Sequence, residues 1–252
     1  MEQRKTSGIQ DEKDLQGGLE MVFGGLQKNS LINFPGKVSC VLFLSGCNFN
    51  CPYCHNPDLA KGRPATCPPI DEAWICDFLD SHRGFLDGVV ISGGEPTLQE
   101  DLPALCKKIK QMGYPIKLDT NGSRPKAIES LIDSGLVDYI AMDIKTDPFH
   151  YSPFIVKDCN PDHILTSIRL IMDSSLDYEF RTTCVKPIVD EKGIENIASL
   201  IEGANFYVLQ RFRPKSVLNP EFFHGTVSNY DEEDLLSLKS IAESWVDECV
   251  IR

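Results

Sequence analysis

From about residue 20 onward, apolar runs and amphipathic stretches alternate along the chain. Val38–Leu44 is almost continuously apolar, the pattern of a strand covered on both faces. Residues 70–82 place Ile70, Trp74 and Phe78 on one side of a helix. Gly88–Ser92 reads as a second strand, and Thr97-x-x-Glu100 as a capping box opening a helix that Gly113 ends. Ile116–Thr120 is then a strand and Arg124–Ser134 a helix stopped by Gly135. Asp138–Lys145 is a strand and Asp162–Ser174 a helix. Tyr178–Val185 and Phe206–Gln210 are strands separated by a helix near 191–202. An acidic-started helix over 231–246 and a short strand at Cys249–Ile251 complete the chain.

Six consecutive strand–helix units predict a parallel sheet with right-handed crossovers. A closed eight-unit barrel takes about 250 residues with its helices. Six units and an N-terminal extension therefore predict an α/β fold: an incomplete (β/α)6 barrel of parallel strands, one domain over 20–252. Residues 1–19 are polar without periodicity and read as a mobile tail.

Composition narrows the classes. With 42% hydrophobic and 25% charged residues the chain is ordinary globular protein. A formal charge of −12 argues against a nucleic-acid partner. No apolar run approaches the roughly 20 residues of a membrane span, and no signal-peptide core opens the sequence, so the expectation is a cytoplasmic protein without membrane contact. Of ten cysteines, seven are scattered singly and read as small buried hydrophobes. Cys47, Cys51 and Cys54 cluster, and a reducing compartment suits them.

The unusual residues fall where predicted strands end, the working edge of such folds. SGCNFNCPYCHNP follows the first strand and SGGEP the second. The third ends in DTNG and the fourth in MDIK; the fifth contains RTT and the sixth runs into LQRF. All would point into one mouth, with Arg181 and Thr183 alternating inward on the fifth strand.

Three thiolates hold three irons of a 4Fe–4S cube and leave the fourth open, whereas electron-transfer clusters normally have four cysteine ligands. Other readings exist. Cys51-Pro-Tyr-Cys54-His55 matches a haem-attachment pattern but leaves Cys47 unexplained. Zinc on Cys47, Cys51, Cys54 and His55 needs adjacent residues turned toward one ion. A redox C-x-x-C again leaves Cys47 without a role.

The spacing C-x-x-x-C-x-x-C, with Tyr53 before its last cysteine, resembles the radical S-adenosylmethionine (SAM) superfamily. GCNFNCPYCHNP looks like its glycyl-radical-enzyme activases, and GGLQKNSLINFPGKVSCVLFLSGC looks closer to activating proteins of anaerobic ribonucleoside-triphosphate reductase. The resemblance runs from about Gly24 to Pro214. It implies a [4Fe-4S] cluster on Cys47, Cys51 and Cys54, with SAM on the open iron. Gly93, Gly94 and Glu95 resemble the segment that holds the SAM ammonium group. Asp119, Asn121, Asp143 and Lys145 resemble strand ends directed at SAM, Lys145 facing its carboxylate and Asp119 and Asp143 facing the ribose or a cation. Tyr53, Cys54 and His55 would lie along the adenine. Gln210 stands near where activases of pyruvate formate-lyase type carry histidine.

The implied reaction is reductive SAM cleavage, with an electron from flavodoxin or ferredoxin, and formation of a glycyl radical on a partner enzyme, anaerobic ribonucleotide reductase above others. Docking is expected at the barrel mouth with Lys28–Gly36 and the basic string Arg211, Arg213, Lys215. Rival readings are an activase of pyruvate formate-lyase or another glycyl radical enzyme, and a small-molecule enzyme similar to 7-carboxy-7-deazaguanine synthase. A non-enzymatic rival is a zinc- or cluster-bearing interaction protein.

Overall fold

The computed structural model describes residues 21–63, 70–157, 160–214, 216–225 and 227–252. The tail expected over 1–19 and the lone Cys67 and Cys159 lie outside these residues, as does Lys215 of the basic string.

Among the described residues eight strands form one sheet in chain order: β1 (Phe23–Ser30), β2 (Ser39–Leu44), β3 (Gly88–Gly93), β4 (Ile116–Thr120), β5 (Tyr139–Asp143), β6 (Asp177–Cys184), β7 (Tyr207–Arg211) and β8 (Cys249–Ile251). β1 runs antiparallel to β2, and every later neighbour is parallel. Among the described residues no pairing joins β8 to β1, so the barrel is open. The expected six parallel strands are present, extended by β8 at one edge and by β1 at the other. Among the described residues seven α-helices accompany them: α1 (Pro57–Ala60), α2 (Glu72–Ser81), α3 (Leu102–Gln111), α4 (Pro125–Asp133), α5 (Pro161–Met172), α6 (Glu191–Leu200) and α7 (Glu232–Ala242).

Two local expectations are corrected. The helix predicted over 70–82 starts at Glu72, where the Asp71 carboxylate accepts from the Trp74 amide at 2.7 Å. It buries Ile75, Phe78 and Leu79, while Trp74 turns outward and stacks on Phe78. Thr97 does not cap a helix; it lies in a single 3-10 turn, Pro96–Leu98, and α3 begins only at Leu102. Pro103 explains the delay. A proline is tolerated in the first turn of a helix, but a helix begun at Thr97 would carry it in the interior.

Alternation along the strands separates two apolar layers. The outward side chains, among them Leu42, Ile91, Leu118, Ile140, Phe180 and Leu209, belong to the main core with the helices. Inside the barrel Val41, Val90, Tyr139 and Ala141 form a smaller cluster closed by Phe34. Phe34 comes from the segment joining β1 to β2, and Ser30 pairs with Ser39 at the start of β2. Lys28–Gly36 therefore extends toward the end of the sheet opposite the cysteine loop. An antiparallel β1 thus carries this segment, expected along with the mouth to take part in docking, away from the strand ends.

Candidate functional site

Each thiol is placed by backbone contacts that fix the loop after β2. The Gly46 amide donates to Leu59 O at 2.7 Å and the Cys47 amide to Ala60 O at 3.2 Å, so α1 supports the loop's start. From the other side the Gly94 amide donates to Leu44 O at 2.9 Å and the Glu95 amide to Gly46 O at 2.8 Å. Both glycines of the second strand end are required by this approach. Gly93 has φ +124°, and a Cβ there would lie 2.2 Å from Leu44 O. A Cβ on Gly94 would lie 2.0 Å from Gly46 O. The close approach is thus made to the cysteine loop itself.

The loop's far side is held by the segment after β7. The Leu218 amide donates to Cys54 O and the Asn219 amide to Pro52 O, both at 3.0 Å. Cys51 is buried and Cys47 and Cys54 are half-buried, all three as free thiols. They line one cavity of about 250 Å³ at the strand ends. Burial pushes the Cys47 thiol up to about 11 and the Cys51 thiol up to about 12, while the Lys145 ammonium pulls both the other way.

The other expected residues gather on the same cavity, with one exception. Tyr53, His55, Gly93 and Gly94 line it, as do Asp119, Asn121, Asp143, Lys145 and Gln210. Glu95 does not. Its fully buried carboxylate accepts from the Thr97 amide and hydroxyl, from Thr120 Oγ1 at 2.8 Å and from the Asn121 amide at 2.6 Å. Burial nonetheless pushes its carboxyl above the usual range. Glu95 therefore joins the β3 turn to the end of β4. Asn121 continues the chain of contacts, donating from Nδ2 to Asn48 Oδ1 at 3.0 Å within the cysteine loop.

Tyr53 is buried, and its hydroxyl donates to Lys145 O at 3.4 Å, tying the cysteine loop to the end of β5. The His55 ring stacks on Phe212, and its Nε2 lies 2.5 Å from Arg213 O, so this nitrogen carries the proton. At Gln210, Oε1 accepts from Thr183 Oγ1 at 3.3 Å.

Charge is organised across the inner face of β4, β5 and β6. Lys145 Nζ lies 3.0 Å from Asp143 Oδ2, and Arg181 Nε 2.7 Å from Asp143 Oδ1. Arg181 Nη1 also reaches Asp119 Oδ1 at 3.4 Å, and Lys117 Nζ meets the same oxygen at 2.5 Å. Deeper, Glu179 takes Lys117 at 3.7 Å and Arg252 at 2.9 Å. Burial opposes ionisation of Asp143, yet Arg181 and Lys145 together hold its carboxyl well below the usual range. Lys145 is likewise held above the usual lysine range by Asp143, against its burial. Asp119 and Asp143 are therefore matched by the chain's own cations.

Lys117 and Glu179 escape sequence reading. A charged residue in a short strand is usually solvated, and only the strict alternation Ile116–Lys117–Leu118–Asp119 places Lys117 with Asp119 on the inner face. The same period puts Glu179 beside Arg181.

The donor set fits a cubane better than a single ion. Among the described residues no group of three or more Cys, His, Asp or Glu side chains converges closely enough to hold one metal ion. Zinc needs four donors at about 2.0–2.3 Å from one centre, and the His55 ring is directed to Arg213 O. Cluster thiolates each bind a different iron and can stand further apart.

Residues 41–201 match the model of the radical SAM superfamily. The chain belongs to that superfamily and is an enzyme of it, and members use a 4Fe–4S cluster and SAM. It is 38% identical over 243 residues to a protein of Methanocaldococcus jannaschii with the provisional name glycyl-radical enzyme activating enzyme, covering 93% of this chain and 97% of that one. It is 27% identical over 230 residues to 7-carboxy-7-deazaguanine synthase of Methanopyrus kandleri, covering 84% and 82% of the two chains. The fold is shared with Streptococcus suis SuiB bound to SAM, at a TM-score of 0.58 and 14% identity. That match covers 83% of this chain and 51% of SuiB. No helix among the described residues is long and apolar enough to cross a membrane.

Proposed function

We propose that this enzyme is an activase that installs a glycyl radical on a partner enzyme, using SAM and a cluster on Cys47, Cys51 and Cys54. The observation that carries the reading is the joint one: three thiols and the Lys145–Asp143–Arg181 chain open on one cavity, in a protein similar along nearly its whole length to one named as an activating enzyme. When bound, the cluster and SAM supply one-electron cleavage of a carbon–sulfur bond and a primary alkyl radical able to abstract hydrogen.

The chain's own residues supply position and charge. Lys145, held cationic by Asp143, faces the thiols and is suited to the methionyl carboxylate of SAM. The strand-end carbonyls around Gly93 and Gly94 suit its ammonium, and Asp119 or Asp143 suits its ribose. Tyr53 and His55 form the wall for adenine, and Gln210 with Thr183 the far wall. Walls of this kind exclude water and oxygen from the reacting centre. The partner best matched by the upstream sequence is anaerobic ribonucleotide reductase, and the electron donor flavodoxin or ferredoxin.

The test is direct. Anaerobically reconstituted protein, SAM and dithionite are incubated with an anaerobic ribonucleotide reductase. A glycyl radical signal in EPR supports the reading. Its absence, together with product formed from a free carboxylated pterin, establishes the small-molecule rival.

A further inference from the structure

Asn121, the residue after β4, lines the cavity and also reaches a sulfur of the cysteine loop. It is buried, and its position is fixed from two sides. Its backbone amide donates to Glu95 Oε2 at 2.6 Å, and its side-chain Oδ1 accepts from the Ser123 amide at 3.0 Å. A backbone amide can only donate, so the second bond settles which end of the side chain is oxygen. Nδ2 therefore faces the cysteine loop. There it donates to Asn48 Oδ1 at 3.0 Å and to Cys47 Sγ at 3.9 Å.

The same sulfur accepts from the Phe49 amide at 3.4 Å. Both donors are held by contacts that do not involve Cys47. Phe49 is buried and meets Tyr151 edge-on, with ring centroids 5.6 Å apart, and Asn121 is held by Glu95 and Ser123. An N–H aimed at a ligand sulfur stabilises negative charge there. Reduction of a cluster adds negative charge, so such donors raise its reduction potential. In a chain of net charge −12 the overall field disfavours an added electron, and local donors offset it.

We propose that Asn121 is a positioning residue for the cluster, its Nδ2 orienting the Cys47 sulfur and raising the potential at which the cluster is reduced. The inference rests on the cluster being held by Cys47, Cys51 and Cys54, and gives a role to a residue outside that ligand set. Glu95 acts one step further out. It holds the Asn121 backbone, so the β3 turn and the end of β4 together aim the donor at the loop after β2.

The test is a potentiometric EPR titration, without SAM, of anaerobically reconstituted wild type, Asn121→Ala, Asn121→Asp and Asn48→Ala, each first assayed for iron and sulfide. At the wild-type midpoint the reduced-to-oxidised ratio of Asn121→Ala is expected to fall about tenfold, which is about 59 mV for one electron. Asn121→Asp keeps the bond from the Ser123 amide but sets an oxygen where Nδ2 stood, so its midpoint is expected lower still. Asn48→Ala removes a neighbour and leaves Ser123 to orient Asn121, so its midpoint is expected to match wild type. A second measurement needs no change of stability: protein labelled with nitrogen-15 at its asparagine side-chain amides should show a nitrogen-15 coupling to the reduced cluster in HYSCORE, absent from Asn121→Asp. Equal midpoints in wild type and Asn121→Ala, an equal shift in Asn48→Ala, or no such coupling in wild type overturns the role of Asn121. Where a variant fails to load iron, the coupling in wild type decides. A wild type without iron and sulfide overturns the ligand assignment itself, whereas a loaded wild type with an unshifted variant overturns the role of Asn121 alone.

Discussion

Arg181 stands directly opposite Asp143 in the β5–β6 ladder, and its Nε donates to Asp143 Oδ1 at 2.7 Å. Because Asp143 also holds Lys145, the guanidinium sets a lysine it does not touch. Replacing Arg181 by Met leaves Asp143 and Asp119 short of a cation. The expected loss is about 3–5 kcal/mol, the range for breaking one partner of a buried pair, measured by urea unfolding of the metal-free protein. The pH dependence has a sign. Asp143 is depressed in the fold, so its stabilisation is present above the unfolded value near about 4 and disappears as pH falls below it. The Met variant should lose less stability than wild type over that acid range.

Glu95 offers a test between two roles. A carboxylate that served only SAM would leave the unliganded protein's stability unchanged when altered. Here four donors converge on it. Glu95→Gln replaces one accepting oxygen by an NH2 group that faces donors and cannot accept from them, and should cost about 1–3 kcal/mol without SAM present. Thermal unfolding of the metal-free variant checks this.

Gly94→Ala should displace the cysteine loop, since its methyl would meet Gly46 O at 2.0 Å. Backbone cannot yield as a side-chain tip does. We expect a stability loss of about 1–3 kcal/mol and reduced iron per chain after reconstitution, read by colorimetric iron assay. Unchanged iron loading would contradict the clamp described above.

Burial keeps Cys47 and Cys51 protonated in the metal-free protein, at about 11 and about 12. Ligation needs thiolates, so loading must release protons. Iron and sulfide uptake should therefore strengthen from about pH 6.5 to 8.5, and alkylation of metal-free Cys51 by iodoacetamide should be slow at neutral pH. Peptide mapping by mass spectrometry follows the second effect.

Much of this architecture is legible in the residues. The strands β4 and β8 fall where alternation and apolar runs place them, residue for residue. β1 is not legible, because FGGLQKNS combines two glycines with polar residues and is stabilised by pairing along β2 rather than by its own pattern. Spacing groups Trp74 with Ile70 and Phe78 on one side of the helix, yet the buried positions are Ile75, Phe78 and Leu79. Among the site residues, cysteine spacing and strand-end position locate all but Glu95 on the cavity. What spacing cannot convey is partnership. The link from Lys117 through Asp119 and Arg181 to Asp143 joins three strands, and such contacts exist only after the sheet curls.

The central claim is tested most directly by counting iron and acid-labile sulfide after anaerobic reconstitution of wild type and Cys51→Ala, with EPR of the reduced protein before and after adding SAM. The account predicts iron and sulfide in equal amounts matching one cubane in wild type, an EPR spectrum that changes with SAM, and loss of SAM cleavage in the variant. Zinc without sulfide in wild type, or normal SAM cleavage by Cys51→Ala, would contradict it.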